Sequence, residues 1–414
     1  MRLGACPSAL RLMDARVENE MKTNVLTFGR REALLLCLIA GGGCSSDRAD
    51  AQSTSDTADD STDPELMCSE DVVFEGDIYE GEPSGVPWNV KRITGTYYGP
   101  TLGTIRDNLA CLERVGGILV GAGPHQTAVP HFVVDHTIEF GTGGVTAPYP
   151  QLIRGLQFAD APGVSATIRI LDVYRDSDIE IDFISPRPLS LYANLFSYEQ
   201  GLLRLEGENW PTEFIDLELG DGTDGILDAS WLRTLERVEG DLIVSAFSSE
   251  RFSLPALEEV GGTLSLTWVG APALPKLTRV DRLELSELEY APDESISLSP
   301  ELRVASALVM TDIAGGRLDA PILVGEGADV TLTEIESASL LRVGAAGDLN
   351  SLILEANPGL VDLSEVLPPT TRVTGLLRVI DNPALDPCDV QAFAEGFAGP
   401  DATVEIPEAQ NCLP

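Results

Sequence analysis

The chain has 414 residues, of which 43% are hydrophobic and 22% are charged, so it can bury a substantial core and is not disordered throughout. It carries 66 acidic side chains against 27 basic ones, which gives a formal net charge of -39 at pH 7. A surface of that sign repels phosphate backbones and anionic lipid headgroups. We therefore expect no nucleic-acid partner.

The N-terminal segment is typical of a secretory signal peptide. Arg30 and Arg31 are followed by an apolar run over residues 33–40 and by small residues that end at Cys44. Basic, apolar and small-residue regions in this order direct export. The apolar run is too short to cross a bilayer as a helix, which takes about 20 residues. We therefore expect residues 1–43 to be a signal peptide, with export by the general or the twin-arginine route left open.

Small residues before a cysteine resemble the lipobox of bacterial lipoproteins, in which the cysteine is linked to diacylglycerol and becomes the mature N-terminus. Cys44 occupies that position, although Gly41 stands where the family usually has leucine. The resemblance implies a lipid anchor at the cell envelope, in the outer membrane, because several acyl chains hold a protein there permanently. Cleavage and release without lipid is the alternative. Translation from Met21 would give the signal an ordinary length.

Residues 44–66 predict a tether, because Ser, Thr, Asp and Ala dominate and large apolar side chains are almost absent. Such a segment cannot repay the entropy lost on folding.

Apolar residues recur at a regular spacing in the rest of the chain. The clearest copies have the form L-x-x-L-x-x-V-x-G, as at Val238 and, 22 residues later, at Val260; a copy without the glycine follows after 20 residues at Val280. Leucines at i, i+3 and i+6 lie on one face of a helical or 3₁₀ turn, and the alternation that follows the valine is typical of a half-buried strand. The glycine is expected to let the backbone bend between them.

A single turn of this kind cannot bury its apolar side, so stacked turns must share one core. Residues 67–414 therefore predict a mainly β fold, a right-handed parallel β-solenoid with leucine-rich-repeat-type turns and short helices at some corners. Between Pro124 and Gly225 the strand pattern persists while the helical half of the repeat is lost. We interpret this stretch as further turns with insertions, and two abutting solenoid halves as an alternative.

The closing segment resembles the terminal cap of the receptor L-domain, the leucine-rich module of growth-factor and insulin-type receptors that has relatives among bacterial surface lipoproteins. It contains a last strand from Val373, an Asn382-Pro383 turn, Cys388 and an amphipathic stretch. The resemblance covers roughly residues 68–123 and 226–412. It implies a C-terminal cap helix and recognition of a ligand or a cell surface.

Four cysteines remain after the signal and the lipid-acceptor residue are set aside, and an even number in an exported protein indicates two disulfides. Four cysteines allow three pairings. We favour Cys68–Cys111 and Cys388–Cys412 because each pair lies at one end of the solenoid, where exposed edges need protection. The receptor family usually places its second cysteine earlier than Cys111.

Candidate metal ligands are few. Four carboxylates alternate along one strand face and suggest a Ca²⁺ site, with a solvated strand edge as the alternative: Asp176, Asp178, Glu180 and Asp182. The histidines His125, His131 and His136 match no zinc spacing even with Asp135 beside them. The string from Gly220 to Gly225 fits G-x-G-x-x-G, but its two aspartates would repel a pyrophosphate. We therefore expect no resident cofactor.

No catalytic motif stands out in the sequence. A G-x-S-x-G elbow, H-E-x-x-H, a Walker loop and C-x-x-C are all absent. We predict a non-catalytic, lipid-anchored binding protein whose solenoid surface recognises a protein or glycan ligand. The alternatives are a β-helix polysaccharide lyase or hydrolase that uses carboxylates, and a structural envelope protein. No individual ligand-binding residue can be assigned from the sequence.

Overall fold

The chain folds as a parallel β-solenoid with one α-helix near its C-terminal end, which confirms the predicted fold class. Residues 61–414 form one compact unit. The computed structural model describes residues 68, 71–79, 87, 89–99, 109–121, 127–128, 132–141, 151–160, 165–173, 177–184, 188–195, 202–206, 210–221, 226–228, 230–245, 252–289, 295–315, 317–318, 321–337, 341–408 and 412. The proposed signal peptide, Cys44 and the tether lie outside these residues.

The strands in chain order are β1 (Val72–Phe74), β2 (Ile78–Tyr79), β3 (Val90–Gly99), β4 (Arg114–Gly121), β5 (Thr127–Ala128), β6 (Val133–Gly141), β7 (Gln151–Phe158), β8 (Ala166–Val173), β9 (Ser177–Ile184), β10 (Leu189–Leu195), β11 (Leu202–Glu206), β12 (Glu213–Asp221), β13 (Ile226–Asp228), β14 (Arg237–Val238), β15 (Leu242–Ser245), β16 (Glu259–Thr267), β17 (Ala273–Leu274), β18 (Arg279–Glu289), β19 (Ser295–Leu298), β20 (Arg303–Ala314), β21 (Arg317–Leu318), β22 (Ile322–Val324), β23 (Asp329–Ile335), β24 (Val343–Ala345), β25 (Leu349–Glu355), β26 (Val373–Ile380) and β27 (Thr403–Glu405).

Most of these strands stack in parallel into one column, which we call the main ladder. It starts with β1 and β2 on β3 and continues through β4, β6, β8, β10 and β12. From β12 it passes through β14 and β15 to β16, β18 and β20, and then through β22 to β25 to the last strands, β26 and β27. Each turn of the chain adds one strand position to this ladder.

The middle stretch of the chain adds a second ladder, in which β5, β7, β9, β11 and β13 pair in parallel. Its strands alternate along the sequence with those of the main ladder. This explains why the sequence between Pro124 and Gly225 keeps its strand pattern but loses the leucine-rich half of the repeat: a second strand takes its place in each turn. The strands predicted there fall in β8, β9, β11 and β12. A smaller sheet of β17, β19 and β21 lies farther along the chain.

The core consists of apolar columns that run across the strands of the main ladder. One column contains Leu264, Leu283 and Leu308, which lie in register and are fully buried. A second column lies two positions farther along the same strands and contains Leu266, Leu285 and Met310. Each of these side chains therefore packs on the equivalent residue of the turn before it. Burial of one Leu-sized side chain contributes about 1.5–3 kcal/mol.

The L-x-x-L half of the repeat forms tight corners. The backbone amide of Leu257 donates to the carbonyl of Leu254 at 3.3 Å, and Leu277 donates to Leu274 in the same way. One such corner, Ser230–Thr234, reaches the length of a 3₁₀ helix; in the other clear copies of the repeat the corner is a single turn. Within the described ranges, one corner therefore forms a short helix of the predicted kind.

The repeat glycine is required for a different reason from the predicted bend. The Oδ1 atom of Asp241 accepts a 2.7 Å hydrogen bond from the backbone amide of Thr263 in the next turn. This carboxylate lies against Gly262, and a Cβ atom at that position would overlap it and the backbone of Gly240. Asp216 makes the same arrangement with the turn that contains Gly240. The glycine leaves room for an aspartate that links neighbouring turns.

Replacing Gly262 by alanine is expected to lower the free energy of unfolding by about 1–3 kcal/mol, because the added methyl group forces the backbone or Asp241 to move. Gly396→Ala is the matched control, since Gly396 lies in a helix and has no atom within 4 Å of an added Cβ. That control is expected to stabilise the protein by up to about 1 kcal/mol. Urea unfolding of both variants measures the difference, and an equal effect would contradict this explanation.

A repeated backbone feature lies at or near the ends of the strands in the C-terminal part of the solenoid. Left-handed φ angles between 52° and 55° occur at six non-glycine residues, which are Trp268, Glu287, Asp312, Glu334, Ala356 and Asp381. They lie in register with one another on successive strands of the main ladder: three directly follow β16, β25 and β26, and three lie one or two residues before the ends of β18, β20 and β23. A bulky residue rarely adopts this conformation, which costs roughly 1–2 kcal/mol relative to the right-handed region.

Two of these left-handed residues, Ala356 and Asp381, are each followed by an asparagine that holds neighbouring turns together. Asn357 is fully buried, accepts a hydrogen bond from the backbone amide of Ile335 at 3.0 Å and donates to the carbonyl of Leu332 at 2.9 Å. Asn382 repeats the pattern one turn later, accepting from the amide of Asn357 and donating to the carbonyl of Leu354. Buried backbone groups between turns are thereby satisfied.

Asn357→Ala is expected to destabilise the protein by about 3 kcal/mol, because it leaves a buried amide and a buried carbonyl without partners. The control is Asn350→Ala, since the Asn350 side chain is exposed where it contacts Asp329; a change below about 0.5 kcal/mol is expected there. Chemical denaturation measures both. Equal losses for the two variants would show that the buried asparagine has no special role.

Both predicted disulfides are confirmed. Cys68 is bonded to Cys111 and Cys388 to Cys412, with Cα–Cα distances of 5.3 and 5.4 Å. The first bond joins the start of the solenoid to the corner before β4. The second joins the C-terminal segment to helix α1, which spans Pro387–Phe397. Each bond therefore lies at one end of the fold.

Helix α1 is the cap helix that the sequence predicts. Its first turn is capped by Asp386, whose Oδ1 atom accepts from the backbone amide of Cys388 at 2.8 Å, and Pro387 occupies the first helical turn. Val390 and Phe393 are buried beneath the helix. The helix thus covers apolar surface at the end of the core, after which β27 pairs with β26.

Candidate functional site on the outer face of the main ladder

The outer face of the main ladder carries polar side chains in rows, because alternate residues of each strand point away from the core. In the turns from β6 to β12, buried residues such as Ile138, Ile168 and Leu217 separate pairs of polar ones. We call the resulting surface the Tyr192 patch; its members are Thr137, Glu139, Thr167, Arg169, Ser190, Tyr192, Asp216 and Glu218.

Strand register brings these residues together from four successive turns. Glu139 pairs with Arg169, Arg169 with Tyr192, and Tyr192 with Glu218. In the adjacent row Thr137 pairs with Thr167, which pairs with Ser190. Neighbouring strands of a sheet lie about 4.8 Å apart, so functional groups from residues distant in sequence become direct neighbours.

Contacts between side chains order the patch. Arg169 Nη1 lies 3.8 Å from Glu139 Oε2, and the guanidinium carbon lies 5.8 Å from the centroid of the Tyr192 ring. The Tyr192 hydroxyl donates to Asp216 Oδ2 at 3.2 Å. Asp216 also accepts from the Ser190 hydroxyl at 3.5 Å and, through Oδ1, from the backbone amide of Asp241. The patch is thus a connected network of a cation, a phenol, hydroxyl groups and carboxylates.

Partial burial raises the pKa of the Tyr192 phenol above its ordinary value, and the negative charge of Asp216 raises it further. The phenol is therefore protonated at neutral pH and acts as a hydrogen-bond donor. A tyrosine that served as a general base would need the opposite shift.

The raised pKa gives a pH prediction. A folded-state pKa above the unfolded value means that the contribution of Tyr192 to stability is complete below about pH 10 and is lost as the pH rises through the folded-state pKa. Ultraviolet absorbance of tyrosinate, recorded as the difference from Tyr192→Phe, should show late ionisation of this residue. Asp216→Asn should move its pKa down towards the ordinary value. Titration of Tyr192 below the ordinary value would refute the assignment.

In the part of the chain that the structure describes, the metal ligands predicted from the sequence do not come together in one site. Asp178, Glu180 and Asp182 lie in β9 of the second ladder, whereas Asp176, His125, His131 and Cys44 lie outside the described residues. Within the described ranges, no group of three or more His, Cys, Asp or Glu residues is arranged to hold a metal ion. The proposed Ca²⁺ site therefore stays a prediction.

His136 and Asp135, which the sequence places side by side, take part in separate local contacts. The His136 Nδ1 atom lies 3.1 Å from the Thr137 hydroxyl. Asp135 accepts a hydrogen bond from the Arg114 Nε atom and lies 3.9 Å from Arg92 Nη2. Two guanidinium groups from neighbouring turns thus share one carboxylate, which ties the first turns of the ladder together.

The G-x-G-x-x-G string lies at the end of a main-ladder strand. Gly220 and Asp221 end β12, and β13 of the second ladder begins at Ile226. The string therefore falls where the chain passes between two parallel ladders, and residues 222–225 lie outside the described ranges.

Two cavities in the described part of the chain lie away from the Tyr192 patch. One of about 440 Å³ lies beside helix α1 and is lined by Val379, Leu385 and Val390 among others. Another of about 480 Å³ is lined by residues that include Glu258, Lys276 and Glu301. Neither cavity is lined by a residue of the patch.

Sequence reasoning missed the Tyr192 patch. Its signal is a pair of polar residues separated by one buried apolar residue, as in Ser190-x-Tyr192 and Asp216-x-Glu218. The pairs occur in the stretch where the second ladder interrupts the repeat, so their mutual register cannot be deduced from spacing alone.

Comparisons of the chain with protein-family models, with curated proteins and with solved structures found no match. In the described part of the chain no helix is both long and apolar enough to cross a membrane. The fold and the geometry of the outer face are therefore the basis for any assignment of function.

Proposed function

We propose that this chain is a lipid-anchored protein of the cell envelope, in the outer membrane, and that its solenoid recognises a ligand through the outer face of the main ladder without catalysing a reaction. The Tyr192 patch is the observation that carries the proposal. It presents an ordered array of hydrogen-bonding groups and an aromatic ring on the outer face of the sheet, where most of them are partly exposed and Ser190 is buried, which suits a polar ligand such as a glycan.

The geometry of the patch favours binding over catalysis. Glu139 is paired with Arg169, and Asp216 already accepts hydrogen bonds from a serine, a tyrosine and a backbone amide. Carboxylates engaged in this way hold the neighbouring donors in place and can accept further hydrogen bonds from ligand hydroxyl groups, which suits binding. The protonated phenol of Tyr192 likewise serves as a donor.

The experiment uses the full chain with Cys44→Ser, which removes lipid attachment. Thermal shift against neutral, cationic and anionic oligosaccharides and peptides should identify a ligand that raises Tm, without new reducing ends or unsaturated products. The shift should shrink severalfold in Arg169→Gln, which loses both its ion pair and its contact with the Tyr192 ring. The matched control is Arg342→Gln, since Arg342 pairs with Glu365 at a distant corner.

Product formation would overturn the proposal in favour of the carbohydrate-active enzyme. Equal ligand responses in Arg169→Gln and Arg342→Gln would remove the Tyr192 patch as the binding surface. The anchor has its own test: incorporation of labelled palmitate into the natural chain but not into Cys44→Ser supports it, and absence of label from both contradicts it.

A further inference from the structure

A second part of the outer face lies nearer the C-terminal end and differs in chemistry from the Tyr192 patch. Five hydroxyl-bearing residues occupy one register position in successive strands, and we call them the hydroxyl row: Ser245, Thr267, Ser286, Thr311 and Thr333. All five are partly exposed. The hydroxyls of Thr267 and Ser286 lie 2.8 Å apart.

The row repeats once per turn of the solenoid, at the spacing of about 4.8 Å between neighbouring strands. The residue that precedes each member of the row along its strand is buried. Beneath the row, Leu266, Leu285, Met310 and Leu332 are fully buried and fix its positions. A rigid row of donors and acceptors is suited to a polymer with a hydroxyl group on every unit.

An acidic and aromatic edge runs beside the hydroxyl row. Four members of the row are each followed by an exposed residue with a left-handed backbone. These four residues form the edge: Trp268, Glu287, Asp312 and Glu334. The Trp268 side chain is 44% exposed, a large fraction for this residue type in a folded protein. Its ring face can receive a sugar ring or a cation.

Charge complementarity decides the class of ligand. The chain carries a net charge of -39, and three carboxylates on successive turns line this edge. An anionic polymer would be repelled, whereas a polymer with one ammonium group per unit would pair with them. The hydroxyl groups beside the carboxylates can form hydrogen bonds with the hydroxyl groups of a sugar. The backbone groups of this sheet are already paired with neighbouring strands, so a peptide cannot add to the row as a further strand.

We propose that the hydroxyl row and its acidic edge bind an extended cationic glycan, a polymer of amino sugars, whose chain runs across the strands along the stacking direction of the turns. This rests on the proposed recognition function and names its ligand class. Row hydroxyls bond the sugar hydroxyl groups, the carboxylates pair with ammonium groups, and Trp268 stacks at the end of the row nearest the Tyr192 patch.

Calorimetry on the full chain with Cys44→Ser tests the proposal, using hexamers of glucosamine, of N-acetylglucosamine and of galacturonic acid. Glucosamine hexamer is expected to bind at least tenfold more tightly than the neutral hexamer, which lacks the ammonium groups, and the anionic hexamer is expected not to bind. Equal affinity for the charged and the neutral hexamer, or preference for a basic peptide of equal charge, would overturn it.

Matched variants locate the site. A triple variant that neutralises the acidic edge should weaken glucosamine-hexamer binding at least tenfold: Glu287→Gln, Asp312→Asn and Glu334→Gln. Trp268→Ala and Thr311→Val should each weaken it severalfold. The control is a second triple variant that removes the same charge from exposed positions at other corners: Glu239→Gln, Glu258→Gln and Glu301→Gln. It should change the affinity less than twofold. Equal losses in the two triple variants would reduce the effect to net charge and overturn the site.

The two proposals fail separately. If glucosamine hexamer does not bind but another ligand binds through Arg169, the inference is wrong and the recognition function stands. If no compound in either experiment binds, both are wrong.

Discussion

The register between neighbouring turns is the constraint on which the rest of this structure depends. A single turn exposes one side of its leucines and valines, and only the identical position of the next turn covers them. Parallel hydrogen bonding fixes that alignment, and so Leu264 rests on Leu283 and Leu283 on Leu308. Side chains that link turns, such as Asp241 and Asn357, satisfy the polar groups that this alignment buries. Rows on the outer face follow from the same alignment, because inward and outward residues alternate.

The sequence predicts the repeat, the cap helix and both disulfides because these features depend on local spacing. Leucines at intervals of three residues and the alternation after Val238 are visible in one copy of the repeat, and their recurrence reveals the stack. Cysteine positions near the ends of the stack restrict the pairing. None of this requires knowledge of which residues face each other across turns, although the ends of the solenoid must be recognised.

Features that depend on contacts between turns could not be predicted. Gly262 was expected to provide a bend, but it is needed because Asp241 of the previous turn occupies the space of a side chain. The Tyr192 patch joins residues from four turns whose lengths vary, and the second ladder that causes this variation has no distinctive sequence pattern. The left-handed corners are equally hidden, because tryptophan, glutamate and aspartate occur at a position where glycine or asparagine would be expected.

The disulfide between Cys68 and Cys111 also determines how the fold carries mechanical load. A pull on the N-terminal side enters the solenoid at Cys68 and passes through the covalent bond to Cys111, beside β4. The first strands, β1 to β3, are thereby bypassed and cannot be peeled off one at a time. The load reaches the ladder at β4, which is already paired with β6. Several parallel strands must therefore separate before the chain extends, and this raises the barrier to forced unfolding.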